Sequence, residues 1–420
     1  MILFLLAFVA FLIIGIPISV SIGFSAVLGC LSLGYPLVVI GQKMVSGIDS
    51  WLLIAIPLFI LAGNIMAQGI TQKLINAANV PLGRVRGSLA SVTVLSSALF
   101  GAISGSGPAT TAAVGMLMIP AMAKRGYNVG YAAAATATAG GIGIIIPPSI
   151  PMVIYGVSGQ QSISKMFMAG IIPGILIAIG LSVMHFFLCR NLKTEGLDWS
   201  MKTFIHSLRD GFWSILAPVI ILGGIYWGVF TPTEAAEVGV LWTLFVGLFV
   251  YRKLTWKNIS SALIRTSAFA GSATILVGVS MAFSRLLTLY HIPQTVGAFL
   301  GSISTDPTIT LLLIAFFIFL CGFVADTLAM VVVLAPVFLP ITNALGIHPI
   351  QLGILFVVCC ETGFLTPPFG ANLFITMKIT DVKLEEVALR AFPYLLAMWL
   401  LIIVVAACPD FVMFLPRLLM

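Results

Sequence analysis

Long apolar runs separated by short polar or basic breaks fill the chain from end to end. A run of about 18 or more such residues crosses ~30 Å of hydrocarbon as a helix. The pattern predicts spans at about 2–16, 18–40, 51–69, 129–156, 166–189, 211–230, 234–251, 266–289, 350–377 and 391–409. Two further apolar segments, 87–123 and 308–345, are too long for one crossing. Each is interrupted near its middle, by Ser104-Gly105-Ser106-Gly107-Pro108 and by Gly322-Phe323-Val324-Ala325-Asp326-Thr327. Both read as re-entrant helical hairpins that enter and leave on one side.

Composition supports the same picture. Of 420 residues, 60% are hydrophobic and 8% charged, where a soluble domain carries about 25% charge. A water-facing surface of this size needs more ions than that; a lipid-facing one needs none. The fold class expected is an all-α polytopic membrane protein. The chain is apolar from Ile2, with its first punctuation at Gly15-Ile16-Pro17, which reads as a retained first helix rather than a cleaved leader. Six cysteines lie in or beside apolar runs without a CxxC or Cys/His cluster, and they read as small core hydrophobes.

The formal net charge of +7 is topological information. Lys43, Lys165, Arg285 and Arg417 fall in one set of loops, and the other 16 of the 20 Lys and Arg fall in the opposite set. The basic set faces the cytoplasm by the positive-inside rule. Both termini are then periplasmic. The first hairpin opens from the cytoplasm and the second from outside.

Opposed hairpins imply an inverted repeat, and the punctuation supplies one. Pro120 and Pro340, Gly126 and Gly346, Gly143 and Gly363, Pro147 and Pro367, and Pro148 and Pro368 are each 220 apart. Pro17 and Pro232, and Gly63 and Gly278, are 215 apart, so one five-residue insertion reconciles the offsets. The first repeat spans 1–190 with hairpin 87–123 and broken helix 129–156. The second spans 211–420 with hairpin 308–345 and broken helix 350–377. The polar stretch 190–210 reads as a cytoplasmic connector, in the form of an amphipathic helix along the membrane.

Paired broken helices in equivalent positions point to a transport site. A continuous helix consumes its own amides and carbonyls; a broken one leaves carbonyls that ligate cations and amide ends that attract anions. Four breaks qualify: the two tips, Gly140-Gly141-Ile142-Gly143 before Pro147-Pro148-Ser149, and Thr362-Gly363 before Thr366-Pro367-Pro368. The glycines permit unwinding there, and the prolines remove donors. Oxygen ligands for a hard cation such as sodium are expected from Ser104, Gly105, Ser106, Gly141, Gly143 and Pro147 in the first half. Asp326, Thr327, Thr362, Gly363 and Thr366 are expected to serve in the second. Pro148, Ser149, Glu361, Gly370 and Asn372 are the candidates for cargo, with Glu361 open to a bracing role instead. Glu234 and Glu237 fit a helix start after Thr231-Pro232-Thr233. Arg285 is open to meeting a substrate carboxylate or snorkelling to the interface. No P-loop, HExxH or GxSxG signature occurs, and no soluble segment is long enough for a catalytic site, so an enzyme is not expected.

At these motifs the chain resembles the DctM-like large membrane subunit of tripartite ATP-independent periplasmic (TRAP) transporters. The matching stretches are Ser104 to Gly107 with Ala109 and Thr110, Gly140 to Tyr155, Thr231 to Ala236, and Glu361 to Phe374. The resemblance covers nearly the full length. It implies an elevator-type ion-transporter fold, in which a domain with both hairpins and both broken helices slides against a scaffold. It implies a soluble periplasmic binding protein that delivers the solute, and a small four-helix (Q-type) membrane subunit, here a separate polypeptide. It also implies sodium as coupling ion, two or more per cycle, and an acidic cargo such as a sialic acid or C4-dicarboxylate. The competing readings are a divalent-anion/sodium symporter that needs no binding protein and, from another class, a channel or membrane-embedded enzyme. A channel usually shows a ring of pore-lining charge, and none is visible in the sequence.

Overall fold

The structure, a computed structural model, describes residues 2–82, 87–190, 201–323, 325–368 and 370–419. Helices make up the regular structure of the described residues. In chain order they are α1 (Ile2–Ile13), α2 (Ile18–Ser32), α3 (Val38–Ile48), α4 (Ala55–Ala67, entered through a 3-10 turn, Trp51–Ile54), α5 (Thr71–Leu82), α6 (Ser88–Ser104), α7 (Gly107–Lys124), α8 (Val129–Ile145), α9 (Ile150–Ser158) and α10 (Ile163–Leu188). The second half continues with α11 (Met201–Tyr226), α12 (Pro232–Phe245, extended by a π turn, Val246–Val250), α13 (Trp256–Leu289), α14 (Ile292–Ile303), α15 (Pro307–Cys321), α16 (Thr327–Ala344), α17 (Pro349–Phe364), α18 (Ala371–Thr380), α19 (Leu384–Ala407) and α20 (Pro409–Leu419).

The order of elements repeats. α7 and α16 are both 18 residues long and begin 220 residues apart, as do α8 and α17. Their ends are made by the same chemistry. Ser106 caps α7 through Oγ, which accepts from Ala109 N at 3.4 Å. Asp326 caps α16 through Oδ2, which accepts from Leu328 N at 3.0 Å. Gly126 (φ 81°) and Gly346 (φ 74°) close the two helices in the left-handed conformation. In each case the next residue reaches back to the last turn, Tyr127 N to Met122 O at 3.1 Å and Ile347 N to Thr342 O at 2.9 Å. This glycine-closed helix end satisfies carbonyls that would otherwise lack donors.

Burial separates inside from outside. In the unit Val129–Ser158, made of α8 and α9, 94% of the most apolar window is buried, against 28% in α10 and 33% in α19. The broken helix is therefore wrapped by protein, and α10 and α19 present their apolar faces outward to lipid. Irregular backbone at membrane depth is tolerated only in such an interior. The turn between α6 and α7 reaches the centre of this unit, since Gly105 O accepts from Ile150 N at 3.1 Å. A hairpin whose tip ends at the middle of a spanning unit has the geometry of a re-entrant loop.

Several boundaries differ from the sequence pattern. The run 18–40 is not one span: α2 ends at Ser32, Gly34 turns the chain at φ 70°, and α3 begins a bent pair with α4 at 62°. The counterpart of that bent pair in the second half is the unbroken 34-residue α13, which starts well before 266 because Thr255 and Asn258 form a reciprocal N-terminal cap. α5 and α14, short and of mixed polarity, are absent from the predicted spans. Of the connector 190–210, residues 191–200 lie outside the described residues. From Met201 the chain is already in α11, a single helix that runs on to Tyr226 rather than a separate amphipathic one. Arg84, Arg86, Lys193 and Val324 also lie outside the described residues.

Candidate functional site

The first hairpin tip and the first break form one unit. Ser104 Oγ and Thr110 Oγ1 are 3.1 Å apart, and Thr110 donates to Ser106 O at 2.7 Å. Gly105 sits at φ 61°, and a Cβ there would stand 2.9 Å from Pro148 O, so the tip backbone touches the break directly. Ile146 and Ser149 are extended, the chain bends between them, and the Pro147-Pro148 bond is cis. Because residues 147 and 148 are prolines, the carbonyls of Gly143 and Ile144 have no helical donor four residues on. Ser104, Gly105, Ser106, Gly143, Pro147, Pro148 and Ser149 are thus brought together, with hydroxyl and free carbonyl oxygens of the kind a hard cation takes.

One expectation about this half is corrected. Gly140 to Gly143 do not unwind; they are helical residues of α8. The carbonyl of Gly141 is therefore within the helical ladder rather than free for a cation. The glycines serve close approach instead. A Cβ on Gly140 would stand 1.8 Å from Thr111 Oγ1, and one on Gly143 would stand 2.5 Å from Thr110 Oγ1. Gly101 of α6 meets Gly143 so closely that its Cβ would lie 2.3 Å from Gly143 Cα.

The second half repeats the crossing. A Cβ on Gly363 would stand 3.0 Å from Gly322 Cα. Thr362 and Gly363 are again helical, in α17, rather than unwound. The break follows at Leu365 to Gly370, with a cis Pro367-Pro368 bond and Gly370 at φ 34°. Thr366 donates to Thr362 O at 2.7 Å and Thr362 to Cys359 O at 2.5 Å. Both hydroxyl oxygens keep lone pairs while they donate. Asp326 and Thr327 stand at the N-terminus of α16, which packs on α17. Phe369 lies outside the described residues.

Between the halves lies a buried polar cluster. Glu361 is 0% exposed. Its Oε1 accepts from Asn372 Nδ2 at 3.0 Å, and the same amide donates to Ala137 O of α8 at 3.2 Å. Glu361 Oε2, Asn372 Oδ1 and the hydroxyls of Ser149, Thr111 and Thr136 are buried with no hydrogen-bond partner among the described residues. Buried polar atoms are nearly always paired, so these atoms keep capacity for a further partner. The structure puts Ser149, Glu361 and Asn372 in one buried interior region. It also gives Glu361 a bracing contact to Asn372. Thr110, Thr111, Thr136 and the Gly101 and Gly322 crossings were missing from the expected site. The only sequence signal for the last two is their separation of 221, close to the repeat offset.

Outside the site, Thr231 caps α12 with Glu234 in a reciprocal cap, Glu234 N to Thr231 Oγ1 at 3.3 Å and Thr231 N to Glu234 Oε2 at 2.8 Å. Glu234 is a helix-start residue. Arg285 is exposed on α13, with no carboxylate partner among the described residues.

Comparison with known proteins gives the arrangement a family. The family described as "Tripartite ATP-independent periplasmic transporter, DctM component" matches residues 5–411. The isethionate TRAP transporter permease protein DctMQ of Oleidesulfovibrio alaskensis is 37% identical over 411 residues, covering 97% of this chain; the chain covers 65% of that protein's length. The C4-dicarboxylate TRAP transporter large permease protein DctM of Pseudomonas aeruginosa is 37% identical over 89% of this chain and 88% of its own. The sialic acid TRAP transporter large permease protein SiaM of Vibrio cholerae is 36% identical over 90% and 89%. Among solved structures, the Alcanivorax borkumensis YdaH transporter shares the fold, with a TM-score of 0.61 at 16% identity over 85% of this chain and 86% of that one. The all-helical, multi-pass chain therefore belongs to the DctM family of TRAP transporter permeases, bacterial inner-membrane proteins that are transporters and not enzymes.

Proposed function

We propose that this chain takes up a small organic acid, of the sialic acid or C4-dicarboxylate class, by sodium symport. A periplasmic binding protein delivers the acid, and a small four-helix Q-type membrane subunit completes the permease. The relatives named for sialic acid and C4-dicarboxylates support the cargo class. The distribution of basic residues supports periplasmic termini.

The observation that carries this reading is the junction of the first tip with the first break. There Gly105 O meets Ile150 N beside the Ser104 hydroxyl and the undonated carbonyls of Gly143 and Ile144. Sodium at Ser104, Gly105, Ser106, Gly143 and Pro147, and at Asp326, Thr327, Thr362, Gly363 and Thr366, lowers the cost of bringing a carboxylate to mid-membrane. Gly141 contributes packing to the first of these sites. The cargo lies between them, against Pro148, Ser149, Gly370 and Asn372. The hairpins and broken helices then move as one body against a scaffold containing α13, in an elevator motion. Each net positive charge carried inward gains ~2.3 kcal/mol per 100 mV, so a surplus of sodium over cargo charge drives accumulation.

Proteoliposomes holding the complete permease and the binding protein test the reading. Uptake of N-acetylneuraminate or succinate is expected only under an inward sodium gradient, with inward positive current. Uptake that ignores sodium overturns it, and uptake without the soluble protein favours the binding-protein-independent symporter.

A further inference from the structure

Positions 141 and 361 are repeat equivalents, 220 residues apart in α8 and α17. They also meet. A Cβ on Gly141 would stand 1.6 Å from Glu361 Oε1 and 1.9 Å from its Cδ. The crossing therefore has room for one side chain, and the second half supplies it. Asn372 has no polar twin either, since the residue 220 before it is Met152. The pair Glu361–Asn372 therefore has no polar counterpart in the first half.

The unpartnered oxygen of Glu361 faces the first half. Oε2 lies 3.5 Å from where a Cβ on Gly107 would stand, and Gly107 is the first residue of the 18-residue α7. A helix N-terminus carries a partial positive charge and amides without carbonyl partners, which make it an anion site. Here a protein carboxylate already stands beside it. Among the described residues no lysine or arginine shares that burial: α8 contains none, the only one in α7 is Lys124 at its far end, and Lys378 of α18 is six residues past Asn372. Glu361 takes part in no ion pair among the described residues.

We propose that Glu361 is a positioning residue shared by the two halves, whose carboxylate neutralises the amide end of α7 and makes the first hairpin tip receptive to a cation before any anionic cargo. Its charge repels cargo from an empty tip and attracts sodium to the Ser104–Ser106 oxygens. Its Oε1 meanwhile holds Asn372 against Ala137 O. The order of binding is then fixed as cation first, and the carrier does not leak cargo without sodium. This rests on the sodium-symport reading above.

The test uses the purified full chain with sodium chloride as probe, choline chloride replacing it at constant ionic strength. Thermal unfolding is followed as sodium rises, without cargo. Uptake in proteoliposomes is the second readout. In Glu361→Gln, which keeps shape and an acceptor for Asn372, the sodium concentration at half effect should rise about tenfold in both assays, equivalent to about 1.4 kcal/mol. Glu361→Asp, which keeps the charge, should stay near the native midpoint. An unchanged midpoint in Glu361→Gln, or an equal shift in Glu361→Asp, overturns the proposal. A native protein with no sodium-dependent shift overturns the sodium reading itself.

Discussion

Glu361 and Gly141 contact each other across the crossing of α17 and α8, and the side chain of the first occupies the space where the second would carry one. An alanine at 141 has no room while Glu361 is present. Gly141→Ala is expected to cost about 1–3 kcal/mol, the usual range for overpacking a tight core. In a Glu361→Ala background the same substitution should cost much less, because the obstructing carboxyl is gone. A double-mutant cycle in thermal unfolding reads this coupling directly. Equal costs in both backgrounds would contradict the contact.

Asn372 holds the other end of the cluster. Asn372→Leu removes the donor to Glu361 Oε1 and to Ala137 O. Hydrogen bonds to charged groups contribute about 1.5–3 kcal/mol, and a loss of that size in stability, with severe loss of uptake, is the expected outcome. Native-like uptake by Asn372→Leu would remove this residue from the site.

Gly105 is constrained twice, by φ 61° and by Pro148 O. Gly105→Ala should cost roughly 1–2 kcal/mol for its left-handed conformation alone, and should separate the tip from the break. Ser106→Ala removes a side-chain cap and should cost about 1 kcal/mol. Uptake is expected to fall far more in Gly105→Ala than in Ser106→Ala, measured at matched protein levels.

The two glycine crossings differ in tightness. Gly101 against Gly143 would place a Cβ 2.3 Å from a Cα, whereas Gly322 against Gly363 would place it 3.1 Å away. Gly101→Ala should therefore be more damaging than Gly322→Ala, both in thermal unfolding and in uptake. The reverse order would mean that the second hairpin, not the first, is the more tightly seated.

His348 caps α17 as an acceptor, taking a hydrogen bond from Ile350 N at Nδ1 over 3.2 Å. Burial first, then the positive charges of Arg417 and Lys165, hold its pKa below the ordinary histidine value. A lowered pKa in the folded state means that the neutral form stabilises the fold. That contribution is present above about pH 6.5 and is lost as pH falls through the folded value. His348→Asn, a cap that does not titrate, should flatten thermal stability over the acid side. An unchanged acid slope would assign it to other groups.

The sequence showed some of this architecture plainly and hid the rest for identifiable reasons. α7 and α16 were legible because Pro120, Pro340, Gly126 and Gly346 recur at one offset and punctuate an apolar background. The breaks were legible because Pro147-Pro148 and Pro367-Pro368 leave no continuous helix. α5 and α14 were hidden because they are too short and mixed in polarity to stand out as spans. The bend between α3 and α4 has no counterpart in α13, so the repeat itself gave no warning of it. Gly140 to Gly143 were legible as special but not in kind. Whether a glycine unwinds a helix or lets another segment approach depends on what packs there. For Gly141 that is Glu361, two hundred and twenty positions away.

The most direct measurement is structure determination of the complete permease in thallium salt and in choline salt, thallium standing in for sodium as a heavy monovalent cation. Difference density is expected at two places. One is among Ser104, Ser106 and the Gly143 carbonyl, and the other is among Asp326, Thr362 and Thr366. Identical maps, or density only at sites away from both hairpin tips, would contradict the account.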